Sequence, residues 1–147
     1  MPVPKSSSDP DEWLRKAEGD LRVALRLTSD PEDSSTFREQ IGFHCQQAAE
    51  KYLKALLTLA HVDFLEHEPY PGTHDLRKLV ALAEPSIGPA ADSLHEAHWL
   101  TPFGDDSLHS ADSPQMLPGD ELRAVEIATR VKSVVLEAMR AHTEPRP

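Results

Sequence analysis

The sequence predicts an all-α protein, a single antiparallel up-and-down bundle of four to five helices. Three observations carry this. Apolar residues recur at helical spacing in five separate segments. No segment shows the apolar–polar alternation of a half-buried strand, and no Asn-Gly or Asp-Gly hairpin signal occurs. The chain has 147 residues, the usual size of one domain, with no internal repeat.

The elements follow in order. Residues 1–8 are small and polar and read as an N-terminal arm, leaving 9–142 for the bundle and 143–147 for a tail. Asp9 can cap a first helix, Pro10 suits its first position, and Glu12 completes a capping-box-like start. Trp13, Ala17, Leu21, Ala24 and Thr28 then keep helical spacing as far as about Leu27, where Ser29-Asp30-Pro31 breaks it. The second helix begins near Ser35 or Thr36 and runs to about Ala60. Ile41, Cys45, Ala48, Ala49, Tyr52, Leu53, Leu56 and Leu59 fall on one side, and Gln40, His44, Gln47, Glu50, Lys51 and Lys54 on the other. After a loop, Thr73 caps a short helix with Leu76, Leu79, Val80 and Leu82, which Pro85 stops. Pro89 opens a fourth helix with Ala90, Ala91, Leu94 and Ala97 inward. From Thr101 to Gly119 the pattern gives way to an acidic, Pro- and Ser-rich loop. Asp120 opens the last helix, whose Leu122, Val125, Ile127, Ala128, Val131, Val134, Val135 and Ala138 keep helical spacing.

Charge narrows the function classes. The formal net charge is -10, and it is uneven. Between Leu79 and Leu122 there are eight acids and no Lys or Arg, against 17 acids and 15 bases elsewhere. Such a surface repels a phosphate backbone, so RNA contact would fall to the first 78 residues or to a partner. The single cysteine, Cys45, excludes an internal disulfide and suits a reducing compartment. The N-terminus has no signal-peptide core, and no apolar run approaches the roughly 20 residues of a membrane span. A cytoplasmic protein without membrane contact is expected.

The stretch Phe43-His44-Cys45-Gln46-Gln47-Ala48-Ala49-Glu50-Lys51-Tyr52-Leu53-Lys54-Ala55-Leu56-Leu57 closely resembles the signature helix of the HEPN domain family. Trp13, Ala17 and Asp20-Leu21 resemble that family's first helix. Thr73-His74-Asp75-Leu76 resembles its short third-helix start, and Leu100-Thr101-Pro102-Phe103 the segment before its variable loop. The resemblance spans about Asp11 to Met139. It implies a four- or five-helix bundle, often a homodimer, and a nucleotide-binding or interaction module paired with a nucleotidyltransferase protein in a toxin–antitoxin-like system. It also implies an alternative, since many members are metal-independent ribonucleases using an Arg and a His with four to six residues between them.

Arg38 and His44 have that spacing and are the catalytic candidates. The Arg would stabilise phosphate charge, and the His would act in acid–base work. Six helical positions turn about 600°, so the two side chains stand about 120° apart in azimuth. They converge only if Arg38 leaves the regular helix or a second protomer intervenes. Where relatives carry Arg-Tyr-Pro, this sequence has Leu108-His109-Ser110.

For binding, His44, Gln47, Lys51 and Lys54 form a polar stripe along the second helix. The lysines could meet phosphate and the Gln side chains a base. The same residues could instead be an i,i+4 pair, Glu50 with Lys54, and register-fixing glutamines. His61, Asp63, Glu66, His67, His74 and Asp75 crowd one region, and His95 and His98 follow Asp92 one turn apart. With no His-Glu-x-x-His and no cysteine partner, no metal or other cofactor is expected. Cys45 reads as a buried structural thiol. The working expectation is binding rather than catalysis.

Overall fold

The computed structural model describes residues 9–64, 75–104 and 115–143. They form α1 (Pro10–Thr28), α2 (Pro31–Thr36), α3 (Arg38–Leu59), α4 (Leu76–Ile87), a 3-10 helix η1 (Gly88–Gly104) and α5 (Asp120–Thr143), with no strand among the described residues. The all-α bundle is as the sequence predicts. The arm 1–8, the capping residue Thr73 and the segment Leu108–Ser110 lie outside the described residues, as does the tail beyond Thr143.

Local chemistry sets the helix ends. Asp9 accepts from Asp11 N at 3.0 Å, and Pro10 takes the first position of α1, as its fixed φ and missing donor favour. Asp30 repeats this device, accepting from Glu32 N at 2.8 Å ahead of Pro31. The Ser29-Asp30-Pro31 break therefore also starts α2, a helix the periodicity does not reveal because it is six residues long. Consequently α3 begins at Arg38, two to three residues after the expected start. Asp75 caps α4 by accepting from Arg77 N at 3.0 Å. Pro85 does not stop α4, which continues to Ile87. The hydrogen bond it removes would end on the carbonyl of Ala81, an exposed residue, so water can satisfy that carbonyl.

The largest departure is at 88–104. An α-helix ending in a loop at Thr101 is expected there, and a 17-residue 3-10 helix is found. Runs this long are uncommon. The reason is in the spacing: the buried residues Ala91, Leu94, Ala97, Leu100 and Phe103 recur every third position. A 3-10 helix has about three residues per turn, so they form one straight apolar row that an α-helix would twist off the core. Ala90, off that row, is exposed.

Helix α3 is central and packs on α1, α4, η1 and α5. Of its expected apolar face, Ile41, Cys45, Ala48, Ala49, Tyr52, Leu53 and Leu56 are fully buried, and Leu59, at the helix end, is partly buried. Its polar side is largely covered too, with Gln46, Glu50 and Lys54 at 0–4 % exposure. Pairings fix the directions. Asp20 meets Lys51 while Trp13, earlier in α1, lies under Lys54, so α1 and α3 are antiparallel. Trp99 meets Arg123 while Glu96 meets Arg130, so η1 and α5 are antiparallel. Among the described residues, no helix is long and apolar enough to cross a membrane.

Candidate functional site

The motif helix α3 places its ionisable side chains in three groups. The first is at its N-terminus. Arg38 Nε donates to Glu121 Oε1 at 2.9 Å. Glu121 also accepts from Ser34 Oγ at 3.3 Å and from Gly119 N at 2.9 Å, so α2, α3 and the start of α5 meet on one carboxylate. Burial raises the Glu121 pKa, but the hydrogen bonds from Arg38 and from backbone N–H groups outweigh it and hold the carboxyl below its ordinary range.

The second group begins six residues further on, at His44. His44 and Lys51 turn about 700° apart, nearly two whole turns, so both project to the same strip of α3. Asp20 of α1 receives them: His44 Nδ1 lies 2.9 Å from Oδ1, and Lys51 Nζ donates to Oδ2 at 2.6 Å. Burial pushes the Asp20 pKa up, while the His44 and Lys51 hydrogen bonds pull it down and prevail. An ionised carboxylate only accepts, so His44 Nδ1 carries the proton and Nε2 is the ring atom left for chemistry. Among the described residues Nε2 has no hydrogen-bond partner.

The third group is buried. Gln47 Nε2 donates to Gln46 Oε1 at 2.8 Å, Gln46 Nε2 to Glu50 Oε1 at 3.1 Å, and Lys54 Nζ to Glu50 Oε2 at 3.1 Å. The Lys54 ammonium also faces the rings of Trp13 at 5.4 Å and Phe64 at 5.5 Å. A cation-π contact of this kind is strongest when desolvated.

The sequence-derived residues are thus divided. His44, Gln47 and Lys51 are partly exposed along one side of α3, whereas Lys54 is 4 % exposed and tied to Glu50. Arg38 and His44 have different partners on different elements, so one chain alone does not bring them together. Sequence reasoning missed Asp20 and Glu121 as the groups that hold these cations, whereas the Glu50–Lys54 pair is the i,i+4 alternative read from the sequence. The i,i+7 spacing of His44 and Lys51 was the available signal for a common acceptor. Cys45 is fully buried, and burial pushes its thiol pKa up to about 12. Among the described residues, no three His, Cys, Asp or Glu side chains group so as to hold a metal ion. Glu66, His67 and His74 lie outside the described residues.

A family model, the HEPN domain, matches residues 10–139. The chain belongs to the HEPN domain family. The match begins at the first residue of α1 and ends within α5, so it includes part or all of every described helix. No curated protein and no solved structure matches this HEPN chain.

Proposed function

We propose that this HEPN protein is a binding module that takes nucleotide on the His44, Gln47 and Lys51 side of α3 and works with a nucleotidyltransferase partner in a toxin–antitoxin-like pair. The observation that carries this is the separate pairing of the motif cations: Arg38 with Glu121, His44 and Lys51 with Asp20, Lys54 with Glu50. The ribonuclease chemistry that the family resemblance implies uses an Arg and a His at one phosphate. Here Arg38 and His44 pair with carboxylates on different helices, and Lys51 and His44 share one half-buried carboxylate, Asp20, whose place a phosphate could take. A homodimer belongs to this reading. Phe37 and Leu122, chain neighbours of the Arg38–Glu121 pair, are exposed at 38 % and 59 %, apolar surface that a second copy would cover. Sedimentation equilibrium should give twice the 16.3 kDa chain mass, and a single-chain mass removes the dimer from the reading.

Titration calorimetry with ATP tests the nucleotide side. Lys51→Ala removes a charge-assisted contact worth about 1.5–3 kcal/mol, so affinity falls roughly 10- to 100-fold. Asp20→Asn removes the competing carboxylate, so affinity rises. If both variants bind ATP as the wild type does, the stripe is structural and the nucleotide site is lost from this account.

One observation favours the ribonuclease reading. Asp20 engages His44 Nδ1 and leaves Nε2 for a substrate proton, the arrangement of a general base oriented by a carboxylate. Cleavage of RNA without metal, abolished in His44→Ala, would establish it.

A further inference from the structure

A groove of about 340 Å³ runs between α4 and η1, and no residue of the Asp20 or Glu121 pairs lines it. Its α4 wall is Arg77, Val80, Ala81 and Glu84. These are positions i, i+3, i+4 and i+7, one continuous strip of an α-helix about 10 Å long. Its opposite wall is Leu94, His95 and His98. In a 3-10 helix residues three apart eclipse, so His95 and His98 stand in one row, about 6 Å apart along the axis. The same row continues to Thr101, whose Oγ1 accepts from Leu76 N at 3.1 Å. That bond ties the end of the row to the start of α4 and so fixes the polarity of the groove. Arg77 and His98 share one end, Val80, Ala81 and Leu94 form an apolar middle, and Glu84 closes the other end.

We propose that this groove docks an amphipathic helix of a partner protein, one carrying an acid and a base two turns apart with Leu-type side chains between them. Charge complementarity commits the occupant. Among the described residues the Arg77 guanidinium and the Glu84 carboxylate have no ion-pair partners, in contrast to Arg38, Lys51, Lys54, Arg130 and Lys132. A helix laid along α4 meets its i, i+3, i+4 and i+7 strip with a strip of the same spacing, the helix-in-groove mode. Its acid pairs with Arg77, its base with Glu84, and two Leu side chains fill the space over Ala81. The inference rests on the chain being a binding module. It fails separately from the nucleotide site, because no groove residue belongs to the Asp20 cluster.

The test uses two fluorescein-labelled, helix-forming peptides, read by anisotropy against the full chain. One carries Glu at i, Leu at i+3 and i+4, and Lys at i+7. The other has Lys at both i and i+7. The wild type should bind the Glu/Lys peptide at least tenfold tighter than the Lys/Lys peptide, although a chain of net charge -10 attracts the latter non-specifically. Arg77→Glu, at an exposed position, should reverse that preference. A wild type that does not saturate with the Glu/Lys peptide overturns the proposal. So does a preference that Arg77→Glu leaves unchanged, or a Lys/Lys peptide that binds as tightly.

Discussion

Replacing Gly104 by Ala tests the packing that seats η1 on the motif helix. A Cβ built on Gly104 would lie 2.0 Å from Gln46 Oε1, 2.2 Å from Cδ and 2.8 Å from Cγ. The backbone there is not in the left-handed region, so the clash is the only obstacle. Gln46 cannot swing into water, because it is fully buried and its amide links Gln47 to Glu50. Either η1 moves off α3 or the amide gives up both bonds. Overpacking a core costs about 1–3 kcal/mol. Stranding buried hydrogen-bonding groups costs about 1–3 kcal/mol more. A total near 4 kcal/mol lowers Tm by roughly 8–16 °C in a chain of this size. Thermal and urea denaturation followed by circular dichroism measure it. The decisive arm is the double variant Gln46→Ala/Gly104→Ala, in which the clashing atoms are gone. It should be no less stable than Gln46→Ala alone. Additive losses, or a Gly104→Ala loss under about 1 kcal/mol, would refute the steric reasoning.

Other outcomes follow from the same geometry. Gly19→Ala, on the exposed side of α1 with nothing within 4 Å of the new Cβ, should stabilise by about 0.5–1 kcal/mol, measured in the same denaturation series. Asp20→Asn should cost about 1–3 kcal/mol at pH 7. Because Asp20 is held below its ordinary pKa, its charge stabilises the fold above the unfolded-state value near about 3.9, and that contribution is lost as pH falls through the folded value. The Tm gap between wild type and Asp20→Asn should therefore be full at neutral pH and close in acid; a gap constant with pH would exclude the ion-pair account. Cys45 should resist a thiol reagent in the native protein and react on unfolding, since it has no exposed surface and a raised pKa. Native labelling at the rate of a free thiol would contradict its burial.

Most of the fold was legible because most helices announce themselves by apolar period and cap. Asp9-Pro10 gave the start of α1 and Asp120 the start of α5, each at the residue where the structure has it. The failures have physical causes. At 88–104 the apolar residues recur every third position, and reading them at 3.6 turned a straight 3-10 row into a short α-helix followed by a loop. Pro85 reads as a stop from its residue type alone, yet a proline whose lost partner is the carbonyl of an exposed residue need not end a helix. The site was legible only by half. The family motif located α3, and the spacing of His44 and Lys51 placed them together. What no periodicity reports is which carboxylate a cation finds across a helix interface. Glu121 is 83 residues from Arg38 and Asp20 is 24 from His44, so those pairings exist only in the folded chain. Lys54 shows the same limit, since a polar face on a helical wheel is solvated only if no other helix covers it, and here Trp13 and Phe64 do.

In the function we propose, Arg38 and His44 do not act together and the chain binds rather than cleaves. The most direct test is incubation of the purified protein with single-stranded RNA in the presence of chelator, beside His44→Ala and Arg38→Ala. The account predicts intact RNA with all three proteins. Cleavage by the wild type that disappears in both variants would contradict it, and would mean that a second chain or a rearranged α3 start brings the Arg and the His to one phosphate.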